Sequence, residues 1–556
     1  MISNFNKMIS FVTSKYQTHM KQIFLIVALI LSFQQYSFSQ SDEYPLSESC
    51  TSIMAGKNAT SDGSVITSHT CDGRYRSWLN IIPGAKYEDK AMMDIQWGTM
   101  MTESPWDTRG VETKGKIKQA KETFAYLNVA YPCMNEKQLI IGESTISGRK
   151  ELVNNKGLFL IENLEAIVLQ RCSTARDAIN LIGELVKEYG YADGGECITI
   201  ADPKEVWVLE IFGEGPDKIG AVWAAQRIPD DHVGVCANIS RISEIDLKNK
   251  DYFMASDNVF SVAKKMGFWD GKETFKFWKA YSGSKPFQIR EYFILSSLAP
   301  SLNLDYNAEE LPFSVKPDNK VSVRDVMALL RSTFEGTQWD MTQNLKMVSS
   351  YKNEAGETVS DTITSPYANP WMKREMMGML NYQNDTSVKF QRTCAVAWCA
   401  YSFVGQCRDW LPDEVGGVCW FSFDNPAESP RIPIFAGTLS LPQSFNYSGQ
   451  FAFNEQSAHW QYRQANRLAT VRWGDGRKLI EPALMQYEDK AFAELADVEK
   501  RAAELLKEDQ ANAAAGQPTQ KCREYLTRYT ADFHASSAAK WLELRNQLWT
   551  DLKLSF

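Results

Sequence analysis

Cys50, His69 and Asp72 are the residues of this chain whose types and spacing most directly suggest bond-breaking chemistry. They lie in one stretch, residues 50–72, CTSIMAGKNATSDGSVITSHTCD. Residues 51–56 (TSIMAG) and 64–69 (SVITSH) are short β-prone runs, and Thr60-Ser61-Asp62-Gly63 between them is strong turn chemistry. A hairpin centred on Asp62-Gly63 brings His69 and Asp72 back beside Cys50. A thiol becomes a good nucleophile when a base takes its proton. A cysteine at the start of a chain carries its own base, because a free α-amine has a pKa of roughly 7.7–8.0. Removal of everything before Cys50 would therefore create the catalyst, and a carboxylate such as Asp72 can hold the amine in place. The developing oxyanion needs donors. Asn238, ending the apolar run 233–238 (VGVCAN), is placed like one.

The elements that must position these groups follow from periodicity. From Cys50 to about residue 240 strand signals dominate: 124–132, 138–145, 196–213 as a hairpin around Asp202-Pro203-Lys204, 222–228 and 232–242. Residues 160–189 are the helical interlude, with Ile161, Leu164, Ile167 and Val168, then Ala178, Ile179, Ile182, Leu185 and Val186 at helical spacing. Ser173-Thr174 can cap its second piece and Gly190 can end it. Residues 250–350 are more helical, best at 287–302 and 323–336, and strands return at 393–405 and 417–424. The tail from 480 to 556 has helical periodicity broken at 515–518 (AGQP). Hairpin-rich strands in two groups, with helices between, predict an α+β body built on antiparallel sheets. No GxGxxG or Walker motif points to a nucleotide fold.

Two parts of the chain stand outside that body. Residues 22–33 (QIFLIVALILSF) follow Met20-Lys21 and precede small and polar residues. That is the outline of a signal peptide, residues 1–39, with Met20 as a second candidate start, and the apolar run is short for a membrane span. Residues 40–49, polar and acidic, read as a short pro-segment. The expectation is an exported protein, periplasmic or extracellular, with no stable membrane insertion once the leader is gone. Lipid attachment at Cys50 is disfavoured by Glu48 and the acidic spacer.

Composition narrows the partners. The chain has 556 residues, 44% hydrophobic, with a net charge of -8. No Lys/Arg block stands out, which argues against nucleic acid. The eleven cysteines include several (Cys197, Cys236, Cys394, Cys399, Cys419) inside apolar runs, where buried free thiols are expected. No HExxH or finger-type cysteine spacing exists among only five histidines, so no metal and no cofactor is expected.

Cys50-Thr51-Ser52 opening a hairpin, the Asp62-Gly63-Ser64 turn and the return strand ending at Asp72 resemble the start of the N-terminal-nucleophile (Ntn) hydrolases. Further stretches resemble the secreted dipeptidase family among the linear amide C–N hydrolases, a group that includes penicillin V acylases and bile salt hydrolases. They are 134–145 (MNEKQLIIGEST), 191–210 (YADGGECITIADPKEVWVLE), 227–242 (RIPDDHVGVCANISRI), 298–302 (LAPSL) and 408–420 (RDWLPDEVGGVCW). The resemblance runs from Cys50 to roughly residue 440. It implies a four-layer αββα sandwich of two antiparallel sheets over residues 50–479, with residues 480–556 as a helical appendage. It implies Cys50 as nucleophile with its own amine as base, Asp72 orienting both, and Asn238 binding the oxyanion. Arg290 matches, loosely, a downstream arginine of the site. Related acylases carry arginine where this chain has His69, and their second site asparagine is replaced near Ser144, so substrate preference does not carry over. Glu143 and Glu196 lie in these motifs, with surface or structural ion pairs as their default reading.

The activity implied is hydrolysis of dipeptides through a thioester, with a small peptide as partner and homo-oligomerisation left open. Two alternatives stand beside it: an acylase cleaving an N-acyl amino acid or bile-salt conjugate, and a non-catalytic binding protein on a degenerate Ntn fold. Intact-mass measurement of the exported protein separates the enzymes from the scaffold. A chain beginning at Cys50 is expected; one that begins near Gln40 and stays so rules out an N-terminal nucleophile.

Overall fold

The computed structural model describes residues 49–216, 218–383 and 387–551. The leader and all of the pro-segment except Ser49 lie outside the described residues. The described residues among 49–372 and 380–551 form one compact unit. Residues 373–379, which include the start of the helix Arg374–Gln383, cluster separately.

Two antiparallel sheets carry the body. The first has seven strands, with Val233–Cys236, Ser49–Ala55, Val65–Asp72, Cys399–Cys407 and Val418–Phe423 adjacent in that order. The second has eight, with Ala221–Arg227, Val206–Gly213, Gly195–Ala201 and Ile140–Ile146 adjacent. The hairpin predicted around Asp62-Gly63 is present: Gly63 takes a φ of 87° and the Asp62 carboxylate accepts from the Ser64 amide and hydroxyl. Its register pairs Ser49 with Asp72 and Cys50 with Cys71. Both strands are buried along their whole length, so they read as continuous apolar and small-polar runs rather than alternating ones.

The two sheets meet through small side chains. Ser52 Oγ donates to the Glu143 carbonyl, and the Thr67 and Thr199 hydroxyls hydrogen-bond to each other. Gly142 lies at the closest approach: a Cβ there would sit 2.4 Å from the Ser68 carbonyl oxygen and 2.7 Å from Thr199 Oγ1.

The helical interlude splits as its sequence predicts. Ile161–Arg171 and Ala175–Tyr189 are separate helices, the second capped by Thr174 accepting from the Asp177 amide and closed by Gly190 at φ 80°. Helices Ile289–Leu298 and Val323–Leu330 also stand where expected. Three differences matter. The strand expected from residue 393 begins at Cys399, because Cys394 and Ala395 both donate their amides to the Ser332 carbonyl and turn the chain aside. The strand expected over 232–242 ends at Cys236, because Asn238 adopts φ 65°. A hairpin, Lys346–Lys352 with Thr358–Thr364, starts at the end of the stretch read as more helical and runs on where no element was expected.

Helices Ala458–Val471, Trp473–Ala514 and Lys521–Asp551 form the C-terminal region, beginning upstream of residue 480. Trp541 is fully buried there and donates to the Glu428 carbonyl and Asn466 Oδ1, which joins this region to the sheet body. None of the described helices is long and apolar enough to cross a membrane. All eleven cysteines are buried and unbridged.

Gly142→Ala is expected to destabilise the protein by ~1–3 kcal/mol, the usual range for overpacking against backbone. The check is the shift in urea midpoint at unchanged m-value.

Candidate active site

Cys50, His69, Asp72, Ser144, Asn238 and Arg290 gather around the opening hairpin of the seven-stranded sheet. Cys50 is buried. Its backbone nitrogen donates to Asn238 Oδ1 at 2.9 Å, and its thiol donates to Glu143 Oε2 at 3.3 Å. Its carbonyl oxygen accepts from Arg290 Nη1 at 2.6 Å. The sulfur, the backbone nitrogen and the adjoining carbonyl of Cys50 are thus each held by a different side chain.

Asn238 reaches the site because of its backbone. The left-handed conformation that ends its strand is one asparagine tolerates better than most residues. Its own amide donates to Ser144 Oγ at 2.8 Å, and its side-chain Nδ2 donates to the Thr145 carbonyl at 2.7 Å. Those contacts fix the amide plane and leave Oδ1 for Cys50. Ser144 is therefore a support beneath Asn238.

Arg290 is 2% exposed and clamps the arrangement from the helix Ile289–Leu298. Besides Cys50, it donates to Thr51 Oγ1, the Ala237 carbonyl and Asn238 Oδ1. Burial lowers its pKa to about 10, with repulsion from Arg392 adding to the effect, so it stays charged at neutral pH.

Asp72 is fully buried, and its Oδ2 accepts from Thr70 Oγ1 and, at 2.6 Å, from Arg392 Nη2. Arg392 also donates to Ser49 Oγ from both Nε and Nη2. The cation beside Asp72 is thus Arg392, which sequence reasoning missed. The Asp72 backbone reaches the nucleophile too, as a hydrogen-bond donor that favours the thiolate. His69 is buried and near neutral: burial lowers its pKa to about 4. Its Nδ1 lies 2.7 Å from the Glu143 carbonyl and 3.2 Å from the Glu143 amide, and its ring packs against Tyr131, Tyr401 and Phe403. It supports the backbone that carries Glu143.

Glu143 and Glu196 correct their default reading. They are 0% and 3% exposed, and neither makes an ion pair among the described residues. Burial pushes both carboxyls up, each is raised further by Asp193, and Glu196 is raised by Glu143 itself. The thiol of Cys50 is likewise held protonated, by burial first and then by Glu143, Cys71 and Asp72. A buried thiol needs a base at hand to ionise. Cys50, His69 and Glu143 also set one sulfur, one imidazole nitrogen and one carboxylate oxygen within 4.8 Å of one another, donors that zinc accepts. An ion there would need the thiolate and would occupy the nucleophile.

The profile of peptidase family C69 matches residues 49–484. Three curated relatives are similar to this chain. One, named probable dipeptidase, from Latilactobacillus sakei, is 24% identical over 498 residues, 86% of this chain and 92% of the relative. Another, named probable dipeptidase B, from Lactococcus lactis subsp. lactis, is 26% identical over 414 residues, 71% of this chain and 76% of the relative. A third, also named probable dipeptidase B, from Streptococcus pyogenes serotype M1, is 24% identical over 348 residues, 60% of this chain and 62% of the relative.

The raised carboxyl of Glu143 has a measurable consequence for stability. Its pKa moves from an ordinary 4.5 to about 7 on folding. Between those values the folded chain keeps a proton that the unfolded chain has lost, so stability falls as pH rises through the window and levels off above it. Glu143→Gln removes this penalty. Its stability relative to the parent is expected to grow from pH 4.5 to about 7 and then stay constant, measured by urea unfolding across pH.

Proposed function

This chain belongs to peptidase family C69, and on that premise we propose that it is an exported dipeptidase whose nucleophile is Cys50 and whose base is the α-amine of the same residue. We place it on the four-layer Ntn sandwich, the two antiparallel sheets forming the inner layers. The observation that carries the reading is the grip on Cys50: nitrogen to Asn238, carbonyl to Arg290, sulfur beside Glu143. The names of the similar proteins, probable dipeptidase and probable dipeptidase B, supply the substrate class.

The steps follow from that geometry. Hydrolysis of the Ser49–Cys50 bond turns the Cys50 nitrogen into an amine that keeps Asn238 Oδ1 as acceptor. The neutral amine takes the thiol proton, and the thiolate attacks the carbonyl carbon of the dipeptide bond. The oxyanion is met by donors of the site, the second hydrogen of Asn238 Nδ2 among them. The new ammonium returns its proton to the departing amino group, and the C-terminal residue leaves. A thioester to the N-terminal residue remains. Water, deprotonated by the amine, attacks the thioester and frees the acid and the thiol. Arg290 holds the Cys50 carbonyl, and the Arg392–Asp72 pair supplies the fixed charge that His69, being neutral, does not.

Cys50→Ala is expected to lower kcat/KM on dipeptides by at least ~10³-fold while leaving the urea midpoint within error. The assay is a dipeptide panel run beside N-acyl amino acids and bile-salt conjugates on protein that begins at Cys50. Turnover of the conjugates in place of dipeptides points to the acylase reading, and undiminished turnover by the alanine variant removes Cys50 from the mechanism.

A further inference from the structure

Resting on the dipeptidase reading, we propose that Glu143 and Glu196 together form the subsite for the α-ammonium group of the substrate's N-terminal residue, so that a free amine is a condition of turnover. The strands Ile140–Ile146 and Gly195–Ala201 pair Thr145 with Glu196 and Glu143 with Ile198. Glu143, Thr145 and Glu196 therefore project from one face, with the two acids as diagonal neighbours. Like charges in that relation are unfavourable, and burial makes them more so.

A counter-cation is missing. Glu143 is engaged by the Cys50 thiol, by Thr145 Oγ1 and by the carboxyl of Glu196, which Thr145 also reaches, and all of these partners are neutral or acidic. Glu196 Oε2 is buried without a hydrogen-bond partner. Among the described residues no lysine, arginine or histidine pairs with either acid. Elsewhere in this site a buried carboxylate does have its cation, as Asp72 has Arg392. Two acids beside the nucleophile thus carry an unpaired oxygen and no partner charge of their own.

The substrate can bring the charge. In a dipeptide the α-nitrogen lies about 2.5 Å from the scissile carbonyl carbon, by standard N–Cα–C geometry. Glu143 Oε2 lies 3.3 Å from the sulfur that attacks that carbon. A carbonyl seated on Sγ therefore brings its ammonium within reach of Glu143, whose carboxyl is hydrogen-bonded to that of Glu196. Binding draws the pair to its ionised form and gives the orphaned oxygen a donor. An N-acylated substrate has no cation to give and leaves the carboxyls facing a neutral amide. The Cys50 amine is a separate group, held on the other side by Asn238.

The test uses the enzyme that begins at Cys50 and the best dipeptide of the panel, its N-acetyl form and its desamino analogue. Wild type is expected to favour the free amine by ~100-fold or more in kcat/KM, as a site built for a specific polar group rejects the analogue lacking it. Glu196→Gln is expected to lower kcat/KM for the free dipeptide ~10-fold or more beyond its effect on the N-acetyl and desamino forms, narrowing the preference, and Glu196→Asp should restore part of it. If the glutamine variant does not fold, wild type alone decides: an amino-acid amide should inhibit at least ~10-fold more tightly than its desamino counterpart. Equal inhibition by the two, or a free-amine preference that Glu196→Gln leaves intact, overturns the proposal. A wild type that cleaves dipeptides and their N-acetyl forms alike defeats this subsite alone, whereas one inactive on every dipeptide defeats the dipeptidase reading and this inference with it.

Discussion

The hydrogen bond from the Cys50 nitrogen to Asn238 Oδ1 is the contact on which the rest of the site depends. It sets the direction of the nitrogen that the proposed mechanism uses as its base. A single side-chain oxygen would hold it loosely. Here the oxygen is itself fixed three ways: by Arg290, by the Asn238 Nδ2 bond to Thr145, and by the left-handed backbone that Ser144 supports. Ser144 and Thr145 come from the strand Ile140–Ile146 and Arg290 from the helix Ile289–Leu298, so the second sheet, that helix and the opening hairpin must all be in place before Cys50 is aligned.

Burial decides how that alignment is used. In water a thiol and a carboxylate 3 Å apart would share little. In this interior the thiol, Glu143 and Glu196 are all pushed toward their neutral forms by desolvation. Charge enters the site with cost and is therefore placed deliberately. Arg290 and Arg392 are the fixed positive charges near Cys50, and Asp72 answers Arg392. The glutamates are left to answer a charge that arrives from outside.

The hairpin, its turn, the Thr174 cap and the Gly190 stop were legible because each is a local rule with its partners close in sequence. Asp72, Asn238 and Arg290 were legible through the motif resemblance, and the structure gathers all three around Cys50. Arg392 was not. It follows Gln391 in a segment that leaves the strand pattern, and its partners lie 320 and 343 residues away. Glu143 and Glu196 looked like ordinary acids, since nothing local tells a buried glutamate from an exposed one. The Lys346–Thr364 hairpin was missed for the opposite reason: it is mostly exposed on both faces, so it has no apolar alternation to read.

The eleven cysteines remain unpaired in the packed body. Cohesion thus rests wholly on close packing and hydrogen bonds, with no covalent brace. Two pairs of these thiols nonetheless lie in hydrogen-bond contact inside the body, Cys133 with Cys419 and Cys197 with Cys236. Cys50 belongs to neither pair, so its sulfur is not drawn toward a neighbouring structural thiol.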